Sequence, residues 1–296
     1  MKQPNPNDGL GLFLAVTSSL GLGLAMVMSR YAYDGGANGL ALGTARAIFF
    51  VPVLYAFCRL TGRSLKLSRS DWRQCALLGI FMATGFYGHV GAIEFIPVGL
   101  AAVLFFTFPP MIGILQAVVA KEPPGLGKTI ALVVAFMGLT LMLGFSFESA
   151  EPRGIVLALG AALCIAWNTF WTARRVPHID GVVSVFHMGV VAMLILLTVS
   201  LFTGKALLPA TGVGWTGLIV VALLQTISLP LFYLALPRIG SLKAGMMGNV
   251  QPLISIVLAF LLFGELMSVA QFAGGAMVLF GVWLMQQIDT RRMRGE

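Results

Sequence analysis

Prolines at positions 109, 110 and 252 interrupt long apolar runs, and each withdraws an N–H from the carbonyl four residues earlier. Those carbonyls belong to Phe105, Phe106 and Gly248. In hydrocarbon, a carbonyl robbed of its helical donor persists only where protein, water or a ligand supplies another. The chemistry on offer is therefore binding: acceptors for an amine, beside points where a helix can bend. Asn168, Asn249 and Gln251 offer the donors a carboxylate accepts from, and Phe105, Phe106, Tyr87 and Trp167 offer apolar contact. Trp167 and Trp171 share a helix face at a spacing of four, with Trp171 nearer the span's end, where interfacial tryptophans collect. Arg46, His89 and Glu94 also fall in apolar runs, where ionisable groups are costly. His89 and Glu94 are five apart and so on different helix faces, which is no metal pair. The expected binding set is Tyr87, His89, Phe105, Phe106, Thr107, Trp167, Asn168, Asn249 and Gln251, with Pro109, Pro110 and Pro252 as hinges. Each also admits a plainer reading. The prolines and the tryptophan can serve packing, the histidine and amides can hold helices together, and Arg46 can snorkel outward.

The elements that must position these groups follow from composition. Of 296 residues, 58% are hydrophobic and 10% charged, against about 25% charged in soluble domains. Ten runs are long enough to cross about 30 Å of hydrocarbon as helices: 9–29, 39–60, 72–94, 98–120, 126–145, 154–173, 181–203, 213–235, 241–263 and 269–288. No secretory signal pattern precedes the first, which reads as a span. The net charge of +8 comes from residues in short loops rather than a basic patch interleaved with aromatics, so nucleic acid is set aside. Cys58, Cys75 and Cys164 have no motif spacing and read as small hydrophobes. Gly127-Lys128-Thr129 looks like the end of a phosphate loop, but Glu122 stands where its first glycine should be. No catalytic triad or paired intramembrane carboxylates occur. Neither enzymatic chemistry nor a cofactor or metal is expected; the expected partners are a small solute and the lipid bilayer, around a monomer or weak homodimer.

The sequence is one unit written twice. A shift of 143 residues carries Gly11 onto Gly154, Ala15 onto Ala158, Trp72 onto Trp215, Pro109 onto Pro252, Glu122 onto Glu265 and Gly138 onto Gly281. The predicted units are 1–150 and 151–296, with five spans each. With the N-terminus inside, fifteen lysines and arginines fall on the inner side or at its edge and three on the outer, as the positive-inside rule requires. An odd number of spans per copy inverts the second against the first. The predicted fold is an all-α membrane protein of ten transmembrane helices in two inverted five-helix repeats, a construction that many carriers use with a site near the midplane.

The second copy carries Ala162-Leu163-Cys164-Ile165-Ala166-Trp167, Gln251-Pro252, Phe263-Gly264-Glu265 and Gly274-Gly275 through Gly281-Val282. The first answers with Phe108-Pro109, Lys121-Glu122 and Gly138. In these motifs and in their repetition the chain resembles a ten-helix carrier of the drug/metabolite transporter superfamily, EamA type. Where that family's first helix carries a Trp, this one reads Leu20-Gly21-Leu22-Gly23. The charge count makes both termini cytoplasmic, and the resemblance implies a bacterial inner-membrane carrier whose cavity is lined by spans one, three, four, six, eight and nine. It also implies alternating access, and an amino-acid exporter is one form it takes. With a sparse polar lining, neutral or aromatic amino acids are the expected solutes. A lipophilic-cation exporter is the alternative, and a membrane-embedded enzyme the reading from another class.

Overall fold

The computed structural model describes residues 6–144, 150–264 and 266–294. Short polar caps fix where several helices begin. Asn38 accepts from the Ala41 N–H, Ser68 from Asp71, Asp180 from Val182 and Val183, and Thr211 from Gly214, which satisfies N–H groups that have no partner in the first turn. The described helices are α1 (Pro6–Asp34), α2 (Gly39–Leu60), α3 (Arg69–Ala92), α4 (Val98–Phe105), α5 (Phe108–Val118), α6 (Leu126–Leu143), α7 (Pro152–Arg175), α8 (Gly181–Thr203), α9 (Gly212–Ile239), α10 (Ser241–Gly248), α11 (Val250–Phe263) and α12 (Val269–Arg294).

Twelve helices replace the ten expected runs because the fourth and ninth spans are each broken in two. The breaks fall at Phe106-Thr107 and at Asn249, two to four residues before the prolines and at equivalent positions of the two copies. Among the described residues nine stretches are long and apolar enough to cross a membrane, counting each broken pair as one. The remaining expected span is α3, whose Gly79 lets it lie close to α8 and whose Gly85 and Gly88 let it lie close to α7.

The helices pack between copies. α1 runs along α9 as α7 runs along α3, and α6 pairs with α12 as α2 pairs with α8. Each pairing maps onto itself or its companion under the repeat. Small residues allow the closest of them: a Cβ on Gly274 would sit 2.4 Å from the Gly138 carbonyl oxygen. Such contacts drive helix association where lipid removes the hydrophobic gain.

Two faces result. One gathers the loops at 61–68, 119–125 and 176–180 with the start of α1 and the end of α12, since Gly11 abuts Arg238 and Lys128 pairs with Asp289 (2.5 Å). It is strongly basic. The opposite face holds the loops at 35–38, 93–97 and 204–211, where the Asn38 amide donates to the Lys205 carbonyl (2.7 Å). Trp72 and Trp215, equivalent in the two copies, are both exposed, one near each face. That is the pattern of interfacial anchors on an inverted pair.

Candidate functional site

The two helix breaks meet at the centre of the bundle. Before the first, the Thr107 N–H reaches only the Leu104 carbonyl (3.3 Å), and the Thr107 hydroxyl donates to the same oxygen (2.6 Å). The ladder resumes at Met111, whose N–H reaches Thr107 (3.1 Å). In the second copy the Asn249 N–H likewise reaches back three residues, to Met246 (3.1 Å). Pro109 and Pro110 give no donor that could join α4 to α5, nor Pro252 one to join α10 to α11. Gly248 has no side chain, so the Phe108 ring comes within 2.7 Å of where its Cβ would stand. The Ser19 hydroxyl donates to the Met247 carbonyl (2.9 Å), which fixes α1 alongside the second break.

Around the breaks lie two connected chambers that share Met26 and Arg46. The deep one, about 150 Å³, is walled by Phe86, Phe105, Phe106, Phe108 and Phe232, with Gln225, Gln251 and Arg46 as its polar side chains. Three of these rings form a cluster: Phe105 to Phe106 at 5.4 Å, Phe105 to Phe108 at 5.9 Å and Phe106 to Phe108 at 6.1 Å between centroids. The outer chamber, about 750 Å³, passes Tyr33, Asn38, Glu94 and Val98 toward the less basic face.

At the basic face, ion pairs tie one copy to the other. Glu122 takes a two-pronged bond from Arg174 (3.0 and 3.2 Å), Arg63 pairs with Asp180, and Asp71 meets His178 (3.1 Å). The Arg174 hydrogen bond and charge hold the Glu122 carboxyl below the usual carboxylate range. The outer chamber leads toward the less basic face, while these ion pairs bridge the two copies at the basic one, beside a separate cleft lined by Gln116, Glu122 and Lys128.

The expected site residues separate into groups. Phe105, Phe106 and Gln251 line the deep chamber, and Thr107 closes the turn behind it. Pro109 and Pro252 are buried at the breaks, with Pro110 beside them. Trp167 does not reach either chamber: its ring packs on Phe81 (6.1 Å) and Trp171 (5.9 Å). Ile165 faces the chamber instead, and two residues along a helix turn about 200°. Tyr87 is displaced in the same way; its neighbour Phe86 lines the chamber, while the Tyr87 ring packs toward Gly91. Asn168 is buried and bridges helices, donating to the Leu78 carbonyl (2.8 Å) and accepting from the Tyr233 hydroxyl (2.5 Å). Asn249 is buried at the break, and neither of its amide atoms has a hydrogen-bond partner among the described residues. The side chain of His89 lies outside the described residues, as does Glu265.

Spans one, three, four, six, eight and nine all contribute to the deep chamber. Span two was not expected there and enters through Arg46. Residues that spacing alone did not select, Phe108 and Phe232 among them, are brought in by helix rotation, beside Gln225, which the sequence marks as one of a few polar groups within the spans. Only the cost of an intramembrane charge had marked Arg46.

The same two five-helix units are matched by the model of the EamA-like transporter family, over residues 9–144 and 152–286. The chain belongs to this family. Among curated relatives of this EamA-family protein, YvbV of Bacillus subtilis, described as an uncharacterized transporter, is 24% identical over 243 residues, or 78% of this chain and 76% of its own. The transporter sll1319 of Synechocystis, also described as uncharacterized, is 24% identical over 206 residues, 66% of this chain and 60% of its own. A crystal structure with 16% identity superposes with a TM-score of 0.77 over 97% of this chain and 99% of that one, which shows a shared fold. The EamA-family chain is thus a multi-pass membrane protein of a transporter family, built as two inverted repeats.

Proposed function

We propose that the chain is a secondary transporter that exports neutral, preferably aromatic, amino acids or closely related metabolites by alternating access. The observation that carries this reading is the phenylalanine-walled chamber where two symmetry-related helix breaks meet. An amino acid needs acceptors for its ammonium, donors for its carboxylate and an apolar surface for its side chain. Backbone carbonyls before the prolines and the carboxamide oxygens of Gln225 and Gln251 suit the first; side-chain N–H groups of the chamber suit the second. The rings suit the third, and aromatic pairing adds about 0.5–1.5 kcal/mol beyond area burial, roughly 2- to 13-fold in affinity.

The positive-inside rule makes the basic face cytoplasmic, so both termini lie in the cytoplasm of a bacterial inner membrane. The conformation described is then the outward-open one, from which an exported solute leaves. Moving to the inward-open state requires the ion pairs at the basic face to part, while the broken spans rearrange.

Proteoliposomes test the reading. Radiolabelled L-phenylalanine and L-leucine are expected to be taken up, with phenylalanine favoured, over liposomes lacking protein. Transport of tetraphenylphosphonium or UDP-glucose with no amino acid moved would overturn the assignment, and the cation result would put a lipophilic-cation exporter in its place.

A further inference from the structure

Arg46 sits where the two chambers join and lines both. It is half-buried, its Nε is closed off from open space, and that atom has no hydrogen-bond partner among the described residues. The contrast with other arginines is sharp. Arg63 and Arg174 are held by carboxylates, Arg175 lies 4.5 Å over the Trp171 ring, and the Arg238 guanidinium bonds the Leu234 carbonyl. Arg59, Arg69, Arg73 and Arg153 are exposed at the two ends of the bundle. Arg46 alone of the described arginines is withdrawn into the bundle without a carboxylate, ring or carbonyl to meet it.

Its surroundings are also unbalanced. Among the described residues it is the only ionisable group of the deep chamber. In the outer chamber Glu94 is exposed near the mouth, and Tyr33 stands within electrostatic reach of both Glu94 and Arg46. Arg30, the other cation lining the outer chamber, pairs with Asp34 one turn on (3.8 Å). A guanidinium in a membrane interior is retained where it faces water or an anion, and its planar fork fits a carboxylate with two parallel hydrogen bonds. Snorkelling gives no separate account here, since the open space that Arg46 lines is that of the two chambers.

The volumes specify the rest of the ligand. An apolar cavity of about 150 Å³ is large enough for one benzene ring, and the deep chamber has about that volume and five phenylalanine walls. We propose that Arg46 reads the carboxylate of the transported solute, so that the chamber selects an aromatic monocarboxylate with its ring in the deep chamber and its carboxylate at the junction. This rests on the transport reading above and sharpens it: the carboxylate is the charge the protein anchors, the ammonium is secondary, and organic cations are repelled.

The test is equilibrium binding to purified wild-type, R46Q and R46K protein of three ligands that share one ring. They are L-phenylalanine, L-phenylalaninamide, which lacks the carboxylate, and 3-phenylpropionate, which lacks the ammonium. Wild type is expected to bind both carboxylates and to bind the amide more weakly. R46Q should lose about 10- to 100-fold toward the carboxylates, the range for one charge-assisted bond, with no loss toward the amide. R46K, which keeps charge without the fork, should fall between. The proposal is overturned if wild type binds the amide as well as the acid, or if R46Q weakens all three ligands alike or none. The wild-type comparison decides the matter even where R46Q fails to fold. Arg46-dependent binding of phenylpropionate without phenylalanine would end the amino-acid reading and keep this one. Arg46-indifferent binding of phenylalanine would do the reverse, and no binding of either acid would end both.

Discussion

Asn168 allows a worked test of how the chamber is held. It ties α7 to α3 through the Leu78 carbonyl and to α9 through the Tyr233 hydroxyl, and both it and Tyr233 are buried. Asn168→Leu keeps the volume and removes both bonds. The Leu78 carbonyl lies within α3, where the helix supplies its own donor, but the Tyr233 hydroxyl is left alone in an apolar interior. Leaving a buried donor unsatisfied costs about 1–3 kcal/mol, more than the loss of an average interhelical bond in membranes, about 0.6 kcal/mol, so about 1–3 kcal/mol is expected. At about 2–4 °C per kcal/mol, the melting temperature should fall by at least about 2 °C. Asn168→Leu combined with Tyr233→Phe removes both partners and should recover about 1 kcal/mol of that loss, the mark of coupling in a double-mutant cycle. Solute affinity of the folded single variant should change less than about threefold, because Asn168 faces away from the chamber. A variant that melts like wild type but no longer binds solute would refute the reasoning and return Asn168 to the binding site.

Other outcomes follow from the same structure. Pro109→Ala and Pro252→Ala restore a backbone donor across each break and should slow flux in proteoliposomes with little change in melting; unchanged flux in both would reduce the prolines to packing features. Lys121 holds a positive φ of 57° where the equivalent residue of the second copy is Gly264 (φ 68°). Lys121→Gly should therefore stabilise by about 0.5–1 kcal/mol, the strain relieved less the glycine entropy, as read by thermal melting. Because Arg174 lowers the Glu122 carboxyl, its contribution is complete above the ordinary carboxylate range and lost as pH falls through the lowered value. Acidic pH should loosen the basic face, read as faster labelling of a Thr61→Cys variant, and Glu122→Gln should lessen that pH dependence without abolishing it, since hydrogen bonds with Ser68 and His178 hold the Asp71 carboxyl low as well. In a background without native cysteines, Ser68→Cys and Lys205→Cys should label from opposite sides of intact cells, and labelling of both from one side would contradict the inverted arrangement.

Hydropathy and the 143-residue repeat made the spans legible. The expected runs at 39–60 and 181–203 coincide with α2 and α8, because helix length in a bilayer is set by hydrocarbon thickness and written in local composition. The breaks were half-visible. The prolines marked where donors are missing, but where the helices part depends on Thr107 and Asn249 meeting neighbouring turns. Rotation about the helix axis was not legible at all. Phe86 rather than Tyr87, and Ile165 rather than Trp167, face the chamber, and a step of one or two residues decides between wall and packing. Asn168 pairs with Tyr233, 65 residues away, a relation no local pattern contains. Arg46 was visible as a charge out of place, but α2 was not expected at the chamber, so its role emerged only from the fold.

Counterflow tests most directly the claim that one chamber serves both sides in turn. Proteoliposomes loaded with unlabelled L-phenylalanine and diluted into a trace of the labelled amino acid should accumulate label transiently above equilibrium, because exchange through a single site runs faster than net exit. Label that rises only to equilibrium, or no faster than in liposomes without protein, would contradict alternating access by this chain.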